Sequence, residues 1–336
     1  MLAILVGRIV SWLTRFLKIG GGSAAPGFYA LKIDPNLVEK LSKKIPRNIV
    51  ITGTNGKTTT ARMIAHFAKD LKVIRNVTGS NLERGIVSAL INHSGKTDLG
   101  IWELDEFAFN SVAPKIKPDI VLFLNVSRDQ LDRYGEVDKV VNRWCETISK
   151  LDPKTIILIH PDLAKLKKYF KGIKEFEKPK NIKTKGLEGS EFELFLNHKS
   201  LIVNLPIPGI YNINNAVAAI TATHCLNIPI SSLAHFQPAF GRFEKLPFGY
   251  IFLIKNPAGA TEVFKTISSQ IKPEDRLLLA LNDNLADGRD VSWIWDTEFE
   301  KLQSRQTICS GTRAADLAVR LKYAGFDPKQ IKIEPG

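Results

Sequence analysis

Gly53-Thr54-Asn55-Gly56-Lys57-Thr58 is the part of the chain whose residue types and spacing most plainly fit a chemistry. Small residues let main-chain N–H groups turn inward around phosphate oxygens, and a helix starting behind them directs its positive end at the same anion. In such a loop Lys57 reaches the β- and γ-phosphates and the Thr58 hydroxyl holds Mg²⁺. The pattern departs from the general GxxxxGK[ST] in one place, because Ile51 stands where the first glycine belongs. Three carboxylates, Glu103, Asp105 and Glu106, form a second acidic candidate, and Glu103 is the expected further metal ligand beside the transferring phosphate. Asn125 to Asp132 reads equally as a site or as a helix start. A cluster of Asp283, Asp287, Asp290 and Asp296 is either a second functional group or a set of capping aspartates.

The elements around these residues must place them at one edge. Arg47 to Ile51 is a short β-branched run, and Thr58 to Asp70 carries Met63, Ile64, Phe67 and Ala68 at helical spacing, which predicts strand, phosphate loop and helix. Further apolar strands are expected at 99–102, 120–124 and 155–159, with a helix between them at 137–149. Uninterrupted apolar strands alternating with helices predict an α/β fold with a parallel sheet covered on both faces. A second strand–helix–strand pattern covers 250–254, 260–271 and 276–281, after a stretch at 241–249 that reads as a linker. The expected organisation is an N-terminal helix and connecting segment (1–45), an ATP-binding domain (46–243) and a smaller Rossmann-like domain (244–336).

Composition bounds the partners. The 336 residues carry 47 Lys+Arg against 34 Asp+Glu, a net charge of +13 that favours anionic partners without choosing among them. The lysine-rich stretch 165–187 lacks aromatic platforms and reads as solvated surface, so no nucleic acid is expected. Cys145, Cys225 and Cys309 stand far apart, form no CxxC, and indicate neither a disulfide framework nor zinc; a reducing cytoplasm is the default. No segment reads as a membrane span or signal peptide. Leu2, Leu5, Ile9, Trp12 and Phe16 recur at helical spacing, predicting an amphipathic helix that docks on its own domain or lies on an anionic membrane surface. Trp293 and Trp295 are expected in the core.

Five separated motifs occur in order: Gly53 to Thr59, Glu103, Asn125 with Asp129-Gln130-Leu131-Asp132, Gly209 to Ala216, and Gly241-Arg242-Phe243-Glu244. Together they resemble the Mur ligase superfamily of ATP-dependent amide-bond-forming enzymes. The stretches 30–37, 78–82, 128–136, 255–259 and 282–293 resemble more narrowly its MurT-like branch, the synthetase subunits of lipid II isoglutaminyl synthase. That resemblance implies a P-loop ATPase domain of the Mur ligase central-domain type followed by a smaller Rossmann-like domain. It also implies ATP-dependent phosphorylation of the D-glutamate α-carboxylate of the lipid II stem peptide. Amidation to D-isoglutamine follows, with ammonia from a GatD-type glutamine amidotransferase, at the inner face of the plasma membrane in peptidoglycan synthesis.

Carried over by position, Gly53 to Thr59 with Asn212, Asn215 and Arg242 would bind ATP, with the two asparagines near the adenine and Arg242 near the phosphates. Thr58 and Glu103 would bind Mg²⁺. Asp290, then Asp287, would complete the partner's Cys–His pair. The chain departs from the family in several ways. Gln130 stands where many Mur ligases have a metal-binding His. Arg143-Trp144 stands where amino-acid ligases carry a carboxylated lysine. The four-cysteine zinc ribbon usual in the branch is missing, so no zinc is expected, and the sequence stops at Gly336 short of the family's further strand and helix. A stand-alone Mur-type amino-acid ligase or folylpolyglutamate-synthase-like enzyme is the alternative, and a non-catalytic nucleotide-binding scaffold the third reading.

Overall fold

The computed structural model describes residues 1–17, 24–77, 80–126, 137–168, 172–197, 199–272, 274–284, 289–302 and 306–335. Its centre is a parallel sheet of six strands: β1 (Asn48–Thr52), β2 (Val73–Arg75), β3 (Leu99–Glu103), β4 (Ile120–Phe123), β5 (Ile156–Ile159) and β6 (Lys174–Glu175). They lie in the order β2-β3-β1-β4-β5-β6, with Ile49 opposite both Ile101 and Ile120. The chain enters the sheet at β1, builds outward to one side through β2 and β3, then crosses to β4 on the other. That reversal opens a crevice at the carboxyl ends of β1, β3 and β4, where open α/β sheets take their ligands.

Successive residues of a strand face opposite sides, and both sides are buried here. Ile49, Ile51, Leu99, Ile101, Ile120 and Leu122 pack in one core with helices α4 (Lys57–Phe67) and α8 (Ile210–Cys225). The same core takes Phe192, Leu194, Val203 and Leu205 from an antiparallel sheet of β7 (Lys180–Thr184), β8 (Ser190–Leu196) and β9 (Lys199–Leu205). Val50, Trp102, Val121, Phe123, Ile157 and Ile159 face the other way. They pack on α2 (Ala25–Ile33), α3 (Leu37–Ser42), α5 (Glu83–Asn92), α6 (Ala108–Ile116) and α7 (Val137–Ile148). Trp102 is fully buried there, with its indole N–H donating to Asn48 Oδ1 at 2.8 Å. A Trp-sized deletion in such a core costs about 3–5 kcal/mol.

The stretch 241–249 is not a linker. Strands β10 (Arg242–Leu246) and β11 (Gly249–Phe252) form an antiparallel hairpin whose Phe243 packs into the first core. Phe243 meets the Tyr250 ring at a tilt and the Phe252 ring edge-on, so burial draws this polar-looking segment into a strand. After it come α9 (Pro257–Ser268), β12 (Arg276–Ala280), β13 (Gln306–Ser310), α10 (Ala314–Tyr323) and β14 (Ile331–Glu334). The three strands pair in parallel as β12-β13-β14 around a third core built on Phe264, Leu279, Phe299, Cys309 and Leu321. Trp293 packs against that core. Trp295 does not enter it: its ring is half-exposed and lies against Tyr323 and the Arg320 guanidinium.

The first helix, α1 (Leu2–Phe16), docks on the body by the side opposite to its apolar stripe. Its buried residues are Ala3, Gly7 and Ser11. A Cβ at Gly7 would stand 2.3 Å from Ile91 Cδ1, so only glycine lets the helix approach α5 this closely. Arg8 Nε anchors it by donating to the Ile91 carbonyl at 2.9 Å. Leu2, Leu5, Ile9, Trp12 and Phe16 all point outward. No helix among the described residues is long and apolar enough to cross a membrane.

Candidate functional site

The phosphate loop joins β1 to α4 and is held open by its neighbours. Gly56 has φ +91°, and a Cβ there would lie 2.1 Å from Asn215 Oδ1, so the loop can pass under α8 only with glycine at this point. Asn125, just past β4, clamps the loop from the other side. Its Oδ1 accepts from the Asn55 N–H and its Nδ2 donates to the Asn55 carbonyl, both at 2.9 Å. Its own carbonyl accepts from Thr54 N–H at 3.0 Å. Three bonds from one residue therefore fix the backbone turn that presents the loop's N–H groups.

Lys57 is buried at the base of α4. Its Nζ donates to the Gly53 carbonyl and to the Thr54 carbonyl at 3.3 Å, and Glu106 Oε2 lies 3.7 Å away. Burial draws the ammonium's pKa down, and the Glu106 carboxylate opposes that shift. Thr58 donates its hydroxyl to Glu103 Oε2 at 2.6 Å. Burial raises the Glu103 pKa, against the pull of Thr58, Lys57, Arg75 and Arg242. The backbone of Glu103 is itself clamped, because Asn76 Oδ1 accepts from its N–H at 3.0 Å and Asn76 Nδ2 donates to its carbonyl at 2.8 Å. The Thr58 hydroxyl and the Glu103 carboxylate thus set two hard oxygen donors side by side, the donor type that suits a cation such as Mg²⁺.

A cleft of about 400 Å³ opens above the loop. Asn55, Gly56 and Thr59 form its floor, Asn212, Asn215 and Arg242 one wall, and Lys255, Ala258 and Gly259 the facing wall. Asn212 and Asn215 are buried side by side on the first turns of α8, where Asn212 Nδ2 donates to the Pro208 carbonyl at 2.7 Å. Arg242 begins β10, and its guanidinium pKa is lowered by burial and supported by Glu103 and Tyr211. The segment after the hairpin meets the loop directly. Asn55 Nδ2 donates to Asn256 Oδ1 at 3.3 Å and Asn256 Nδ2 to Asn55 Oδ1 at 3.1 Å. Asn256 also caps α9 by accepting from Gly259 N–H at 2.8 Å.

The structure thus brings Gly53 to Thr59, Glu103, Asn212, Asn215 and Arg242 to one cleft and its base. Asp290 does not join them; it sits on an exposed turn where Oδ1 accepts from Ser292 N–H at 2.8 Å, and the Ser292 hydroxyl together with that N–H lowers its pKa. Asp283 is engaged by Thr312 at 2.8 Å and Arg313 at 3.3 Å. Asp287, Thr78-Gly79 and the segment from Asp129 to Asp132 with Gln130 lie outside the described residues. Arg143 stacks its guanidinium on Phe107, and Trp144 is core, donating to the Glu106 carbonyl at 2.9 Å.

Several cleft and base residues escaped sequence reasoning. His160 lines the cleft, with its pKa lowered by burial and opposed by Asp162. The Tyr211 phenol is pushed up to about 12 by burial. Asn76 and Arg75 reach Glu103 from the end of β2. A usable signal exists for His160 and Asn76: each directly follows the last residue of a parallel strand, the edge where ligands collect.

Comparison with known proteins bears on what such a cleft does. Residues 51–223 match the Mur ligase middle domain model and residues 253–336 the MurT ligase C-terminal model. The chain is 32% identical to the lipid II isoglutaminyl synthase (glutamine-hydrolyzing) subunit MurT of Staphylococcus aureus, over 90% of this chain and 83% of that protein. It is 28% identical to the Streptococcus pneumoniae subunit of the same name, over 98% and 88%. In fold it is similar to MurF from Acinetobacter baumannii (TM-score 0.73, 17% identity, 90% and 70% covered). It is also similar to the MurF ligase of Thermotoga maritima in complex with ADP (TM-score 0.67, 15% identity, 95% and 81% covered).

Proposed function

This chain belongs to the Mur ligase family, in its MurT-like branch, and is an ATP-dependent ligase; on that footing we propose that it is the ATP-using subunit of a lipid II isoglutaminyl synthase. The substrate in this reading is the D-glutamate α-carboxylate of the lipid II stem peptide. A carboxylate oxygen attacks the γ-phosphorus and ADP leaves. Ammonia then attacks the carbonyl carbon of the acyl phosphate, phosphate departs with the C–O electron pair, and the nitrogen loses a proton to give the amide. The observation that carries this is the cleft itself: its floor is the phosphate loop, and one wall is the Lys255–Gly259 segment inside the matched MurT-type region.

The residues divide the work by position. Main-chain N–H groups of Gly56, Lys57 and Thr58 at the start of α4, with the Lys57 side chain, would neutralise the phosphates, while the Thr54 and Asn55 N–H groups are held by Asn125; Arg242 adds charge from the hairpin. Asn212 and Asn215 would face the nucleotide base from α8. Mg²⁺ fits the donor set of Thr58 and Glu103, two adjacent hard oxygens that leave further positions for phosphate and water. When bound there it supplies charge neutralisation at the transferring group.

In this reading residues 46–243 form the ATPase unit and 244–336 the unit that meets a GatD-type amidotransferase, whose ammonia is delivered at the membrane's inner face. Asp290, and Asp287 beside it in sequence, are the carboxylates assigned to that partner's active site. The test is mass spectrometry of lipid II incubated with the protein, ATP, Mg²⁺ and ammonium, with and without glutamate. A carboxyl-to-amide mass change abolished by Lys57→Ala is the expected result. Addition of a glutamate residue would replace this reading with an amino-acid ligase, and an unmodified lipid II under all conditions would reject it.

A further inference from the structure

We propose that the outward face of α1 is a docking surface for an anionic lipid bilayer. Leu2, Leu5, Ile9, Trp12 and Phe16 are 48–71% exposed, and at about 100° per residue they fall within a single stripe along the helix. The stripe is free because the helix docks by Ala3, Gly7 and Ser11 on its other side. Its two aromatic rings stack on each other at 5.4 Å between centroids. Aromatic rings of this kind settle at the headgroup level of a bilayer.

Charge selects the occupant. Residues 1–33 contain no Asp or Glu. Arg8 and Arg15 lie on one side of the apolar stripe and both are exposed; Arg8 is held to the Ile91 carbonyl, and Arg15 in the last turn supplies the cation at the rim. The neighbouring helix α2 adds exposed Phe28, Tyr29 and Ile33, with Lys32 Nζ 4.7 Å over the Phe28 ring. The first carboxylate in the chain, Asp34, is neutralised by Lys40 at 2.7 Å. An apolar, aromatic face with a basic rim and no acid matches the interface of a membrane carrying anionic headgroups. This inference does not depend on the reaction proposed above.

The test is flotation of the full chain with vesicles of phosphatidylglycerol and phosphatidylcholine, against vesicles of phosphatidylcholine alone. The wild type is expected to float with the first, to be released by high salt, and to float weakly with the second. The double variant Trp12→Glu/Phe16→Glu is expected to lose vesicle binding at least about tenfold, since each ring withdrawn from water contributes on that scale. Its melting temperature and its binding of a nucleotide analogue should match the wild type, because neither ring touches the body or the cleft. A wild type that stays unbound, a variant that floats equally well, or equal binding to neutral vesicles would each overturn the proposal. So would sedimentation showing a wild-type dimer that becomes monomeric in the double variant without lipid, which would assign the face to a second copy of the chain.

Discussion

The two parallel sheets of this molecule are built by the same rule and end in opposite states. In the six-stranded sheet, β1 and β4 are buried along their whole length, with a core on each face. In the three-stranded sheet the strands alternate: Leu279 and Cys309 are buried, while Leu278 is 65% exposed on β12 and β14 is largely open. The large sheet can therefore afford buried charge. Lys57 and Glu103 lie at its carboxyl edge, where low dielectric strengthens their action on a phosphate and shifts their pKa values. The aspartates near the small sheet stay solvated and are held by turns or by Arg313. A sheet covered on both faces holds its charged groups in low dielectric, and a half-open sheet leaves its carboxylates to solvent.

That contrast can be broken at its strongest point first. Lys57→Ala is expected to lower ATP-dependent turnover by about 10²–10³-fold, the scale of losing one preorganised charge-stabilising donor, measured as ADP release in the presence of acceptor. The C-terminal unit should be untouched, as judged by its protease-resistance pattern. Glu103→Gln comes next, with turnover expected to fall by about 10²-fold and a higher Mg²⁺ requirement, because the variant keeps an acceptor for Thr58 but loses the charge that holds the cation. It also tests burial. The folded-state pKa of Glu103 lies above 4.5, so from 4.5 up to that raised value the folded protein holds more protons than the unfolded chain, and stability falls as pH rises through the window. Denaturant titrations across those pH values should show this slope in the wild type and its loss in Glu103→Gln.

Smaller effects sharpen the boundary between the regions. Asn256→Ala cuts the reciprocal bonds to Asn55 and the cap of α9 at once. It should cost about 2–3 kcal/mol, the two bonds and the cap together, read as earlier exchange of amide protons in α9 while β1 and β4 stay protected. Asn125→Ala removes both side-chain bonds to Asn55 and should cost about 2 kcal/mol of stability, with a raised KM for ATP and little change in acceptor KM. Asp290→Ala should leave stability within about 0.5 kcal/mol, as expected for a surface position. In the proposed complex it should lower glutamine-driven amidation while ammonium-driven amidation continues.

Legibility followed burial and locality. The strands at 48–52, 99–103 and 120–123 were evident because a two-faced strand must be an unbroken apolar run, and the phosphate loop because its chemistry is contiguous. Glu103 was found because it ends such a run. Asn76, Tyr211 and His160 were not singled out, since a lone asparagine, tyrosine or histidine carries no periodic signal until the fold sets it beside Glu103, Arg242 or the cleft. The stretch 241–249 reads as a linker because Pro247 and flanking glycines punctuate it, while the ring contacts that make it half of a strand pair run from Phe243 to Tyr250 and Phe252.

The sequence by itself determined the element types, the parallel α/β class, the phosphate loop and the amphipathic character of the first helix, since each depends on neighbours a few residues apart. Tertiary structure alone decided which side of that helix is covered. Its apolar stripe allows either docking on its own domain or lying on a membrane surface, and it is the small-residue side, Ala3, Gly7 and Ser11, that makes the contact. Tertiary structure also decided that Asn55 meets Asn256 and that Asn125 clamps the loop, contacts spanning 201 and 70 residues of chain. Local pattern cannot encode such pairings, because they exist only once separate elements have been packed to a common edge.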